Sequence, residues 1–250
     1  MTPLIHSWMV KNRARIDHAT PHPSRIPLIC VGNLVVGGSG KSPVVGSLAT
    51  LLKSQGYQPG IVSRGYGGLA KNLPIDVRAE SRAERVGDEP LMLHRQTGCP
   101  VVVCKDRARA VDFLHHHYPI DVVLSDDGLQ HAPLWRDLSV CVFNFEQGIG
   151  NGLPLPFGPL REPLSALEHM DAIVVRGTSD AASALKEMGV ETAVPCFASE
   201  GSLAFAYRSD RPDVKVPISE LAAQGTWHAV AGIAAPDRFF AGLEVHGLSI

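Results

Sequence analysis

No two cysteines of this 250-residue chain stand at CxxC spacing, so the commonest zinc-ribbon and dithiol patterns are absent. Cys30, Cys99, Cys104, Cys141 and Cys196 are scattered, three of them inside strand-like apolar runs. They read as buried, reduced thiols. The opening residues lack the form of a secretory signal, and no uninterrupted apolar run is long enough to span a bilayer. There is no internal repeat and no low-complexity tract. The base-reading Asn/Thr-Lys-x-Asp string of GTPases is missing too, which argues against a GTPase-type switch. A formal net charge of −2 gives no whole-protein footprint for nucleic acid, which is not expected as a partner. With 45% hydrophobic and 19% charged residues, a packed core is expected and global disorder is not.

What is present is alternation. Apolar runs of strand length recur at Ile26–Val31, Pro59–Val62, Val101–Cys104, Val122–Ser125, Ser139–Phe143 and Ala172–Val175. Helix-length segments lie between them at Pro43–Ser54, Pro90–Thr97 and Ala108–His116. Continuous apolar strands alternating with helices predict an α/β fold with a mostly parallel sheet covered on both faces. Pro27 places the start of the first strand near an edge or an entry. Gly148–Pro163 is rich in Gly and Pro and reads as a long ordered loop. Past Thr178 the texture changes. Thr192–Ala198 and Ser202–Arg208 read as a hairpin around Glu200-Gly201, Trp227–Ile233 as a strand, and Pro236–His246 as a helix. The expected organisation is an N-terminal segment 1–25, a core 26–178 and a smaller C-terminal α/β region 179–250. In the N-terminal segment Leu4, Ile5, Trp8, Met9 and Ile16 share one face of a helix over Pro3–Ile16, bordered by Lys11 and Arg15. Such a helix either lies in a membrane interface or packs on its own domain.

The chemistry concentrates where the first strand turns into a helix, at Gly37-Gly38-Ser39-Gly40-Lys41-Ser42. Phosphate oxygens need convergent N–H donors and a cation, and a glycine-rich turn at a helix N-terminus supplies both. Lys41 is placed to reach the β- and γ-phosphates and the Ser42 hydroxyl to ligate Mg²⁺, with Pro43 harmless in the first turn. The strict spacing would put a glycine where Val35 stands, and Gly32 lies three residues earlier. Further on, Val122–Ser125 runs into Asp126-Asp127, and a carboxylate at such a strand end holds Mg²⁺ in P-loop proteins. Adjacent residues point to different sides, so one of the two Asp residues is the metal partner; an Asp127-Gly128 turn is the structural alternative. Asp88, in Gly87-Asp88-Glu89-Pro90, fits an N-cap and, compatibly, a general base toward a sugar hydroxyl. Arg64, Arg107 and Arg161 lie in loops or at strand ends, where arginine binds phosphate when it is not a plain surface charge. His115-His116-His117 splay around a helix and do not converge on a metal.

These residues resemble the tetraacyldisaccharide 4'-kinase family. The matching segments are Val31–Leu34 with Gly37–Pro43, Ser63–Gly68, Gly87–Pro90, Asp126–His131, Gly158–Pro163, and Ala231–Ala234 with Pro236 and Arg238–Phe240. They come in the family's order, and the departure at Val35 is the family's own form of the loop. The resemblance implies a P-loop kinase that transfers the γ-phosphate of ATP to the 4'-hydroxyl of an acylated glucosamine disaccharide 1-phosphate, giving lipid IVA. It implies Mg²⁺ and peripheral work on the cytoplasmic side of the inner membrane. On the same ground Asp88 is the base or base-assisting carboxylate. The loop from Gly37 to Ser42 holds the nucleotide, and Ser42, Asp126 or Asp127, and Glu162 lie near the metal. Arg107, Gln130 and Arg161 contact phosphates or substrate. The family's N-terminal hydrophobic segment is usually longer, which implies weaker membrane docking here. Family members also continue into a Phe-Pro-Asp-His-like motif whose His pairs with the catalytic Asp. None of the eleven histidines matches it, which leaves a catalytically impaired nucleotide-binding relative as the alternative reading.

Overall fold

The computed structural model describes residues 26–65, 73–131, 134–201, 205–208, 210–232 and 236–250. The expected N-terminal helix and Tyr66–Gly68 lie outside them. Strand β1 (Leu28–Gly32) passes through the glycine loop into α1 (Lys41–Ser54). Then come β2 (Pro59–Ser63), β3 (Ile75–Val77), α2 (Ala83–Val86), α3 (Asp88–Thr97), β4 (Val101–Val103), α4 (Arg107–His117) and β5 (Val122–Asp126). The unit closes with β6 (Leu138–Asn144), a 3₁₀ segment Leu164–His169, β7 (Ala172–Arg176), α5 (Ala181–Glu187) and β8 (Cys196–Ser199).

Among the described residues these eight strands form one sheet in the order β3-β4-β2-β5-β1-β6-β7-β8. Every neighbouring pair is parallel except β3 with β4. The strands are apolar without alternation because both faces are covered. Successive residues nonetheless serve different cores, as the two-residue period of a strand requires. Leu28, Cys30, Val123, Cys141 and Phe143 pack with Ala110, Val111 and Leu114 of α4 and with Ala181 and Ala184 of α5. Val31, Leu124, Val140 and Val142 pack with Val44, Val45 and Ala49 of α1 and with Leu91 and Leu93 of α3. Helices therefore lie on both faces, as the alternation predicts.

Pro27 marks an entry and not an edge. Its carbonyl accepts from Val123 N at 2.9 Å just before the ladder of β1 begins, and β1 is central, flanked by β5 and β6. The first compact unit reaches Ser199, beyond the change of texture at Thr178, because β8 pairs in parallel with β7. The expected hairpin of β8 with the next strand does not form. Instead β9 (Phe205–Arg208) pairs antiparallel with β10 (Arg211–Pro217). With α6 (Ile218–Ala222) and α7 (Pro236–Val245) these make a second unit, Glu200–Ile250, around Ile218, Leu243 and Leu248. Trp227–Gly232 is not a strand; one bridge, Thr226 to Ser249, stands beside it. The run carries the right residues, but a strand needs a partner ladder, and β9 and β10 already pair with each other.

Phe143, fully buried in the larger core, tests this packing. Phe143→Ala is expected to destabilise the first unit by about 3–5 kcal/mol, read as a lowered midpoint in urea with tryptophan and circular-dichroism probes.

Candidate active site

The carboxyl ends of β1 and β5 lie side by side, with Val31 in register with Asp126. Between them the chain after β1 folds into the glycine loop. Gly37 and Gly40 have φ of 114° and 77°, values that L side chains avoid. Gly40 is the left-handed residue from which α1 starts. The helix N-terminus thus faces the strand ends with its N–H groups free of side-chain caps.

Two residues on α1 link to the acidic strand end. The Ser42 hydroxyl donates to Asp126 Oδ2 at 3.0 Å, and both residues are buried. Asp126 Oδ1 is buried too and has no hydrogen-bond partner. Burial pushes the Asp126 carboxyl up to about 7; the Glu89 charge adds to this and the Ser42 hydrogen bond opposes it. Asp127 turns the other way. It adopts φ 53°, a conformation Asp tolerates. Its Oδ1 receives Arg161 Nη1 at 2.9 Å and lies 3.5 Å from Lys41 Nζ. The two adjacent carboxylates thus separate as their alternation requires, and a turn follows alongside: His131 N donates to Gly128 O at 3.0 Å.

Gln130 joins the rest. Its Nε2 donates to Glu162 Oε1 and to Asn33 O, both at 3.0 Å, and its Oε1 accepts from Arg161 Nη1 at 3.3 Å. Glu162 is buried. Lys41, Asp127, Gln130, Arg161 and Glu162 are therefore one connected network, with Ser42 and Asp126 beside it through Lys41. Arg107 is 2% exposed. Its guanidinium donates to Cys104 O and Lys105 O at 3.2 Å and to Asp127 O at 3.5 Å. Burial first, then the neighbouring Arg64 charge, lowers its pKa. It buttresses the turn at Asp127, and its Nε remains without a partner.

Asp88 stands apart. It is exposed in the first turn of α3, Gly87 is the N-cap, and no side chain caps that end. The expected Asp88 cap is not made: Gly87, with φ 91° and ψ 152°, ends α2 and takes the N-cap position itself, which leaves Asp88 as the first residue of α3. Among the described residues its carboxylate has no partner. The histidines of α4 do not converge: His116 and His117 each bond a carbonyl one turn back, on Asp112 and Phe113. Among the described residues no cluster of His, Cys, Asp or Glu has metal-holding geometry.

Asn33 is the residue to which sequence reasoning assigned no role. Fully buried, it accepts from Lys41 Nζ at 3.2 Å through Oδ1 and donates to Val35 O through Nδ2. An Asn closing an apolar strand was the available signal. Glu89 is a second, legible only once α3 is seen to bring its charge near Asp126.

Residues 4–250 match the family described as LpxK: Tetraacyldisaccharide-1-P 4'-kinase. The chain belongs to this family. Curated tetraacyldisaccharide 4'-kinases that it resembles include one from Thiobacillus denitrificans, 46% identical over 89% of this chain and 66% of its own length. Another, from Dechloromonas aromatica, is 41% identical over 97% of this chain and 71% of its own length. The chain thus spans about two thirds of the length of these relatives. A solved LpxK from Aquifex aeolicus in complex with ATP superposes with a TM-score of 0.79 at 28% identity, covering 99% of this chain and 76% of that one. The P-loop kinase fold expected from the sequence is the fold observed.

The raised Asp126 pKa has a stability consequence. The folded state keeps this carboxyl protonated up to about pH 7, whereas the unfolded chain releases the proton near the ordinary value of 3.8. The native state therefore binds more protons across that window, and its stability falls as pH rises through it. In chelator-treated protein, Asp126→Asn is expected to gain in melting temperature over the parent from about pH 4 to about pH 7 and then level off. A gain that does not change with pH would refute this.

Proposed function

We propose that this chain transfers the γ-phosphoryl group of ATP to the 4'-hydroxyl of a tetraacylated glucosamine disaccharide 1-phosphate, giving lipid IVA. The observation that carries this reading is the convergence of Lys41, Ser42 and the Asp126-Asp127 strand end on one glycine loop, in a chain of this kinase family. The impaired-relative reading has no support in the curated relatives, which carry the kinase name.

Magnesium suits the donors. Asp126 Oδ1 is a buried oxygen without a partner, beside the Ser42 hydroxyl, and hard oxygen donors are what this ion takes. Ser42 and Asp126 would hold it, with Glu162 close through Gln130. When bound, the ion neutralises charge on the phosphate oxygens. Asp127 is the less suited of the pair, because Arg161 and Lys41 already share its Oδ1. Ser42 donates its proton to Asp126 and so presents oxygen lone pairs outward. The loop N–H groups and Lys41 bind the phosphate chain, and Asn33 and Asp127 hold the Lys41 ammonium in place. Asp88, exposed and unpaired, is available to accept the proton of the attacking hydroxyl. Arg161 and Gln130 line the same network.

Among the described residues no helix is long and apolar enough to cross a membrane. We place the work at the cytoplasmic surface of the inner membrane, with peripheral attachment through the N-terminal segment. Leu153, Leu155 and Phe157 are exposed in the loop that runs into Arg161 and Glu162, which supports an acylated substrate.

The full chain, incubated with radiolabelled ATP, Mg²⁺ and the acylated disaccharide in mixed detergent micelles, is expected to yield lipid IVA. Asp88→Asn should lower kcat by roughly 10²–10⁴-fold and leave ATP affinity within a factor of about two. Lys41→Ala should lose measurable ATP binding. A preparation that binds ATP but makes no product would sink the kinase reading, and an active Asp88→Asn would sink the role given to that carboxylate.

A further inference from the structure

We propose that Arg176 is a nucleotide-contacting residue, its guanidinium binding the phosphate chain of the nucleoside triphosphate from the β7 side of the glycine loop. This rests on the kinase reading above and adds to it a residue from a strand outside the loop and the acidic strand end.

Arg176 is the last residue of β7, and its backbone is fixed on both sides. Its carbonyl accepts from Phe145 N at 2.9 Å, and Gly177 N donates to Ser199 O at 2.9 Å. The side chain reaches back past the end of β6 to the glycine loop. A Cβ placed on Gly40 would sit 1.7 Å from Arg176 Nη1 and 2.7 Å from its Cζ. The guanidinium therefore lies directly against the left-handed glycine where α1 begins. Gly40 is thus required twice, once for its φ and once because a side chain would displace the arginine.

The electrostatics of this placement are unfavourable by themselves. A helix N-terminus carries about half a positive charge, and Lys41 is the next residue. A guanidinium set there is a third positive element at one point, and it is half-buried. Burial lowers its pKa, the direction expected when a cation loses water without gaining a partner. The other site cations are compensated: Lys41 by Asn33 and Asp127, Arg161 by Asp127 and Gln130, Arg107 by three carbonyls. Among the described residues Arg176 has no hydrogen-bond acceptor and no carboxylate. An anion seated on the loop N–H groups would relieve all three positive elements together, and a polyphosphate is the anion whose charge and length suit them. Arginine suits the task better than lysine, because its planar fork can pair two phosphate oxygens.

Calorimetric titration of the full chain with ATP·Mg²⁺ and, separately, with inorganic tripolyphosphate tests this. Arg176→Gln is expected to weaken both ligands by about tenfold or more, the usual scale of a lost charged hydrogen bond. Arg176→Lys should recover part of the loss, still several-fold short of the parent. If the Gln variant does not fold, as judged by its ligand-free melt, the Lys variant carries the test alone: unchanged affinity for both ligands overturns the proposal. Parent-like binding by the Gln variant overturns it as well. Weakened ATP with unchanged tripolyphosphate also overturns it, because the contact would then be to the nucleoside. If the parent chain binds neither ligand, the kinase reading falls and this inference with it. If the parent binds and the Arg176 variants do not differ from it, only the inference falls.

Discussion

A hydrogen bond from the Ser42 hydroxyl to Asp126 ties the glycine-loop helix to the acidic strand end, beside the Lys41–Asp127 ion pair. It crosses from the first turn of α1 to the end of β5, and its environment is nearly dry. A carboxyl in such a place holds its charge poorly. Around it neutralisation is weak: the Lys41 charge offsets less than burial and the Glu89 charge impose. On the proposed reading, a bound cation would make the charged form of this carboxyl favourable. Its burial comes at some expense of stability at neutral pH.

Its neighbour Asp127 has the opposite fate. One residue along, on the other side of the backbone, it pairs Arg161 and approaches Lys41. Two chemically identical side chains are thereby given separate tasks by backbone alternation and one left-handed φ. Asp127 fixes cations that belong to the protein, and on the proposed reading Asp126 is kept for one that does not. Asn33 and Gln130 complete this division by holding Lys41 and Glu162 in the same network.

Most of this was legible in the residues. The apolar runs and the helices between them located all the parallel strands of the sheet up to β7 and the faces that bury them. The loop, the Asp pair and Arg161 could be read as a site because strand ends are where such sheets bind ligands. What could not be read was of two kinds. Pairing choices were one: β8 joined β7 and not β9, since an apolar run does not name its partner. Long-range side-chain reach was the other. Glu89 and Arg176 lie against Asp126 and Gly40, both distant in sequence, and neither spacing nor periodicity records that. The cap expected of Asp88 failed because Gly87, between α2 and α3, takes the N-cap position.

The position of β1 in the sheet also bears on how the chain folds. Its two ladders run to Val123 and to Leu138, both far along the chain. The glycine loop that hangs from β1 is thus anchored only after β5 and β6 are available. Parallel pairing over such separations closes long loops, so this part of the assembly should be slow and should leave apolar strands uncovered meanwhile. During synthesis, the oldest part of the nucleotide site would wait for the ribosome to pass β6 before it has walls.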